Sequence, residues 1–112
     1  MSGTLVVLTP LPDEERAVGL ARALVERRLV ACVNIVPGVR SLYRFKGALS
    51  DDREHLLLMK TTPERYDALA SAIAELHPYE VPELVAIPVA RGASAYLDWV
   101  AASVNETPDR TG

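Results

Sequence analysis

Apolar positions along the chain change period several times, and each change marks an element. Thr4 to Thr9 is a short, nearly continuous apolar run closed by Pro10 and Pro12. It predicts a central strand covered on both faces. Ala17, Leu20, Ala21, Leu24 and Val25 then recur at helical spacing behind Asp13-Glu14-Glu15. The acids suit a first turn, so a helix is expected from about Asp13 to Arg28, with Arg27 and Arg28 at its end. Val30 to Val36 is β-branched and apolar, Pro37-Gly38 interrupts it, and Val39 to Phe45 resumes it. This reads as one long strand with a bulge or bend. Lys46-Gly47 and Ser50-Asp51-Asp52 carry turn chemistry, and Arg53 to Thr61 returns as a third strand. Residues Val39 to Thr61 are thus expected to form a long hairpin.

Thr62-Pro63-Glu64 has the order of a helix start, with a Thr cap and Pro at the first helical position. Tyr66, Leu69, Ala70, Ile73, Ala74 and His77 fall on one stripe of that helix, and Pro78 ends it. Glu83 to Val89 predicts a fourth strand, with Pro88 suggesting an edge. After Gly92, Ser94 can cap a third helix with the stripe Tyr96, Leu97, Val100, Ala101 and Val104. Asn105 to Gly112 is polar and expected to fray. The order β-α-β-β-α-β plus one helix gives an α+β class, a ferredoxin-like βαββαβ sandwich with a long hairpin between its second and third strands and a C-terminal helix. One domain spans residues 1–112.

Two helices cover one sheet face, yet the strands are apolar on both. Val30, Cys32 and Val36 alternate with Ala31, Val33 and Ile35, and Leu56 and Leu58 alternate with Leu57 and Met59. Such a face needs another layer. A third helix swinging across it would serve in a monomer. Self-association, with the hairpin reaching into a neighbour, covers more of it. Trp99, off the stripe of its helix, suits an interface anchor or a cap on the core edge.

Composition narrows the function classes. The 112 residues carry a net charge of −3, with 49% hydrophobic, 24% charged and 5% aromatic residues. This excludes a disordered chain and gives an aliphatic core. Ten of the twelve basic residues are Arg, scattered along the chain, so no basic face points to nucleic acid. The single Cys32 excludes an internal disulfide, and no leader or membrane segment is recognisable. A cytoplasmic, reduced protein is expected. Asn105-Glu106-Thr107 matches a glycosylation sequon, which means nothing without a secretory signal.

Candidate chemistry is sparse. Cys32 reads either as a small buried hydrophobe or as a soft copper ligand. His77 reads either as a helix-end residue or as an imidazole ligand. Tyr79 and Glu80 follow between Pro78 and Pro82, a rigid segment that would form a small-ligand pocket or simply lock a loop. His55 is expected in solvent, Asp51 and Asp52 in a turn, and Met59 in the core. No close-set Cys-x-x-Cys or His-x-His signature, phosphate-cradling glycine loop or nucleophile elbow is present.

Three stretches carry a resemblance: Leu29-Val30-Ala31-Cys32-Val33-Asn34-Ile35; Leu42-Tyr43-Arg44-Phe45-Lys46-Gly47 leading into Leu56-Leu57-Leu58-Met59-Lys60-Thr61; and His77-Pro78-Tyr79-Glu80-Val81-Pro82-Glu83. Together they resemble the CutA family of divalent-cation tolerance proteins, from about Thr4 to Val104. The resemblance implies a ferredoxin-like subunit in a tight homotrimer similar to the PII signalling proteins, a link to copper and other divalent cations, and no established catalytic reaction. Phe45 stands where the family often has Trp, which alters packing at the hairpin tip. The resulting expectation is a non-enzymatic, trimeric protein of metal tolerance that binds copper or another divalent cation, with Cys32, His77 and Glu80 as metal ligands. The alternatives are a PII-like trimer that binds a small molecule, and a cofactor-free ferredoxin-like enzyme.

Overall fold

The computed structural model describes residues 3–105; the expected frayed segment therefore lies, beyond Asn105, outside the described residues. The elements run β1 (Leu5–Leu11), α1 (Glu14–Glu26), β2 (Cys32–Phe45), β3 (Ala48–Thr61), α2 (Pro63–Leu76), β4 (Val85–Pro88) and α3 (Ser94–Ser103). The four strands form one antiparallel sheet in the order β2-β3-β1-β4. The ferredoxin-like α+β reading holds, β1 is central, and β4 is an edge.

The register shows why one face is dry. Val7 lies opposite Met59, and Thr9 opposite Leu57. On β2, Val33 faces Met59 and Ile35 faces Leu57. These side chains share one sheet face, because directly paired residues point the same way. All but Thr9, a buried hydroxyl that donates to the Glu83 carbonyl, join Leu20 and Leu24 of α1 and Leu69 and Ile73 of α2 in the main core. A smaller cluster of Ala31, Val100 and Val104 holds α3. Of the rest of its expected stripe, Leu97 is half-buried, and Tyr96 and Ala101 are exposed.

Helix ends differ from the sequence expectation in detail. Asp13 caps α1, its side chain accepting from the Arg16 N–H. The helix stops at Glu26, two residues early. Arg28 adopts φ 58°, while its N–H and that of Leu29 reach back to the carbonyls of Val25 and Leu24. That left-handed turn closes the helix and buries Leu29 beside Leu24. Thr62 occupies the cap position of α2 without a side-chain cap bond, and α3 is capped by Ala93, so Ser94 is its first helical residue.

Two strand boundaries are corrected. β1 continues through Pro10 to Leu11. The β4 ladder ends at Leu8, so Pro10 has a strand on only one side, opposite Leu56, where a missing N–H is tolerated. The hairpin is also longer than expected, because Ser50-Asp51-Asp52 is strand and not turn. The reversal takes only two residues, Lys46 at φ 51° and Gly47 at φ 79°. Two consecutive left-handed residues match the twist of the flanking strands, so pairing begins at once with Phe45 and Ala48. A bulge at Pro37-Gly38, where the register shifts between Val36 and Val39 and Gly38 has φ 70°, bends the hairpin as expected.

Beyond that bend the hairpin leaves the body. The molecule measures 50 × 29 × 22 Å. Its radius of gyration is 14.9 Å, against about 13 Å for a compact chain of this length. Leu42, Phe45 and Leu49 on the arm are exposed, at 59%, 51% and 71%. On the sheet face away from α1 and α2, Val36, Val85 and Ile87 are exposed as well.

Leu57 sits fully buried where β3 meets both helices. Leu57→Ala is expected to lower unfolding stability by about 2–5 kcal/mol, and Leu49→Ala to leave the stability of a single subunit within about 0.5 kcal/mol. Urea denaturation with global fitting over protein concentration measures both.

Candidate functional site

A cavity of about 960 Å³ opens between the hairpin arm and the segment that follows α2. The arm supplies Tyr43, Asp52 and Glu54, and the segment supplies Tyr79, Glu80 and Glu83. Pro10, Pro78, Pro82 and Val81 add apolar wall.

His77 anchors this segment. It follows the last residue of α2, as the helix cap and not inside the final turn. The Tyr79 N–H donates to its Nδ1 at 3.1 Å, and Nε2 stands 2.7 Å from the Pro10 carbonyl. The first bond requires a bare Nδ1, so Nε2 carries the hydrogen and donates it to Pro10. The ring is 7% exposed and lies 4.8 Å from the Tyr79 ring. Burial holds its pKa below the ordinary imidazole value, although the Pro10 bond and the Glu54 charge act the other way.

The two phenols each hold a carboxylate. Tyr79 donates to Glu54 Oε2 at 2.7 Å, and Tyr43 donates to Asp52 Oδ2 at 2.5 Å. Burial and the Glu54 bond push the Tyr79 hydroxyl far up, and the Asp52 bond raises that of Tyr43. Arg40 is committed to Asp51 through two bonds of 2.9 and 2.8 Å, which hold that carboxyl below its usual range.

Cys32 stands elsewhere. It pairs with Lys60, which pairs with Val6, whereas His77 is bound to Pro10 four residues further along β1. That offset is about 13 Å along the strand. Cys32 Sγ lies 3.2 Å from the Tyr96 hydroxyl, and this bond, together with burial, raises the phenol to about 12. Beside it, Lys60 donates to Asn34. One subunit therefore does not bring Cys32 to His77 and Glu80. Among the described residues no group of three His, Cys, Asp or Glu side chains converges to hold a metal ion.

Met59 is core, as expected. His55 is not solvated as expected; it is half-buried opposite Leu11, and its Nδ1 is buried without a partner among the described residues. Sequence reasoning missed Glu54. Flanked by Arg53 and His55, it reads as surface, yet it is 5% exposed. Its alternation with Asp52 along β3, on the face of Tyr43, is the signal that would have found it.

Because His77 is neutral in the fold and its pKa is depressed, the unfolded chain binds the proton more readily. Its contribution to stability is present above the ordinary value of 6.5 and is lost as pH falls through the lower folded value. His77→Gln is expected to flatten the fall in urea midpoint below pH 6.5 relative to the parent, measured across a pH series.

A profile of the CutA1 divalent ion tolerance protein family matches residues 5–103. The divalent-cation tolerance protein CutA of Thermus thermophilus is 54% identical over 95 residues, which cover 85% of this chain and 92% of that protein. Protein CutA of Bos taurus is 45% identical over 98 residues, covering 88% of this chain; the chain spans 55% of that longer relative. The structure also superposes on a PII-like protein CutA from Nostoc with a TM-score of 0.84 and 40% identity, covering 90% of this chain and 97% of that one. With the resemblance of its strands and of its His-Pro-Tyr segment now matched across nearly the whole chain, this protein belongs to the CutA1 divalent ion tolerance family.

Proposed function

We propose that this protein works in the cytoplasm as a homotrimer that binds divalent cations, copper first among them, and serves metal tolerance without catalysing a reaction. The observation that carries this reading is the apolar surface left open by the fold: Val36, Val85 and Ile87 on the sheet, and Leu42, Phe45 and Leu49 on the arm. Burying such surface against further copies is favourable at about 25 cal/mol per Å². A count of three follows from the family resemblance.

Assembly also bears on the metal. Ligands too far apart in one chain can meet when they come from different chains. In the proposed site Glu80 offers an exposed carboxylate at the cavity wall, His77 an imidazole, and Cys32 of another subunit a thiolate. This mixed set suits copper, which accepts all three donor types. His77 can bind a metal only by surrendering one of its two bonds. Coordination through Nδ1 displaces the Tyr79 N–H, so metal entry is coupled to movement of the segment.

Sedimentation at micromolar concentration is expected to give three times the 12.2 kDa chain mass. Chelator-competition titration is expected to show copper binding that weakens about tenfold or more in Cys32→Ser, His77→Ala and Glu80→Gln. A folded single subunit, or copper affinity indifferent to all three substitutions, overturns the reading.

A further inference from the structure

The β4 ladder stops at Leu8, so Thr9 to Leu11 of β1 have no strand on that side. Residues 78–84 are tied to this stretch, yet among the described residues no backbone–backbone hydrogen bond holds them. Side-chain bonds take that place. At one end Thr9 Oγ1 donates to the Glu83 carbonyl at 2.7 Å. At the other, His77 joins the Pro10 carbonyl to the Tyr79 N–H. The Tyr79 hydroxyl then ties the segment to Glu54, at the root of the arm.

A segment held in this way opens easily. Leu84 packs against the core, but Glu80, Val81 and Glu83 are exposed, Val81 at 81%. A stretch with little buried apolar surface and no ladder lies at the low end of local stability. Pro78 and Pro82 fix their φ angles within it, which favours movement as one piece over fraying residue by residue. Closure withholds His77, whose ring is buried with both nitrogens engaged. Tyr79 carries both ends of that restraint. Its N–H occupies Nδ1, and its hydroxyl is fixed by Glu54. Loss of the contact with the arm therefore loosens the group that masks the imidazole.

We propose that residues 78–84 form a strap that opens as one unit, latched by the Tyr79–Glu54 bond, and that the closed strap keeps the His77 imidazole from outside ligands. Because the latch stands on the arm, displacement of the arm's root and release of His77 are coupled. The strap does not depend on metal binding, and its opening can be followed without any metal.

A Glu-specific protease cuts after Glu80 and Glu83 once the strap is open, and with fast opening and closing its rate follows the open population. Applied to the intact protein with chelator present, it reads the latch directly. Tyr79→Phe removes the hydroxyl and keeps the ring, and is expected to speed cleavage at both sites about tenfold, as loss of a charge-assisted bond requires. Thr9→Val frees the other end and is expected to speed both sites about fivefold; it carries the test if Tyr79→Phe does not fold. Tyr43→Phe breaks the neighbouring phenol–carboxylate bond on the arm and is expected to change neither site. Cleavage after Glu26 and Glu75, in the helices, reports global unfolding and is expected to stay slow in every variant. Diethyl pyrocarbonate, which acylates a free imidazole nitrogen, is expected to modify His77 faster in Tyr79→Phe by the same factor as the cleavage. Unchanged cleavage, acceleration at one site alone, equal acceleration by Tyr43→Phe, a parallel rise at Glu26 and Glu75, or unchanged His77 reactivity overturns the proposal. Loss of copper binding strikes only the metal reading and leaves the strap standing.

Discussion

One unbroken ladder organises the molecule. β3 runs from Ala48 to Thr61 and pairs with β2 along almost its whole length, while β1 pairs only with its second half, from His55 onward. The same strand therefore lies inside a helix-covered sheet at one end and forms half of a bare two-stranded arm at the other. Residues 55–61 are held by helices on one face and by β1 at the side. Residues 48–54 have only β2. A lone two-stranded ribbon is marginal in water, so the arm depends on its continuity with the body and on whatever covers it. The cavity stands where these two regimes meet, which is why Glu54, the last residue before the body begins, is buried and Asp52 beside it is not.

The segment after α2 turns that junction into a defined wall. His77 ties it to the Pro10 carbonyl and to the Tyr79 backbone, so one side chain connects the helix end, the central strand and the wall. Tyr79 then reaches across to Glu54 on the arm. The chain of contacts from Pro10 through His77 and Tyr79 to Glu54 crosses two strands and a loop without a charged pair. Its rigidity comes from bonds whose donors and acceptors are fully specified, including the tautomer of the imidazole.

Much of this was legible in the sequence. Element order followed from apolar period and from proline and glycine placement, and the sheet's double apolar character foretold the open face. What resisted reading is local. The strand boundary at Pro10 depends on where the neighbouring β4 ends, which is a property of the sheet and not of the residue. The hairpin was read too short because Asp51 and Asp52 look like turn residues, whereas the two left-handed residues Lys46 and Gly47 already complete the reversal. The sequence marks His77 as a residue of interest but not its ring bonds, which involve Pro10, 67 residues away, and Tyr79, two residues on. Glu54 was overlooked because burial of a carboxylate depends on a phenol 25 residues later.

The brevity of β4 has a bearing on how the protein avoids uncontrolled association. Its outer edge is only four residues long, ends on Pro88, and lies downstream of Pro82. A strand that adds there finds few donors and acceptors before a ring without an N–H stops the ladder. Sheet growth at that edge is therefore self-limiting: a neighbour can dock, but an endless stack leading to fibres has no template to follow.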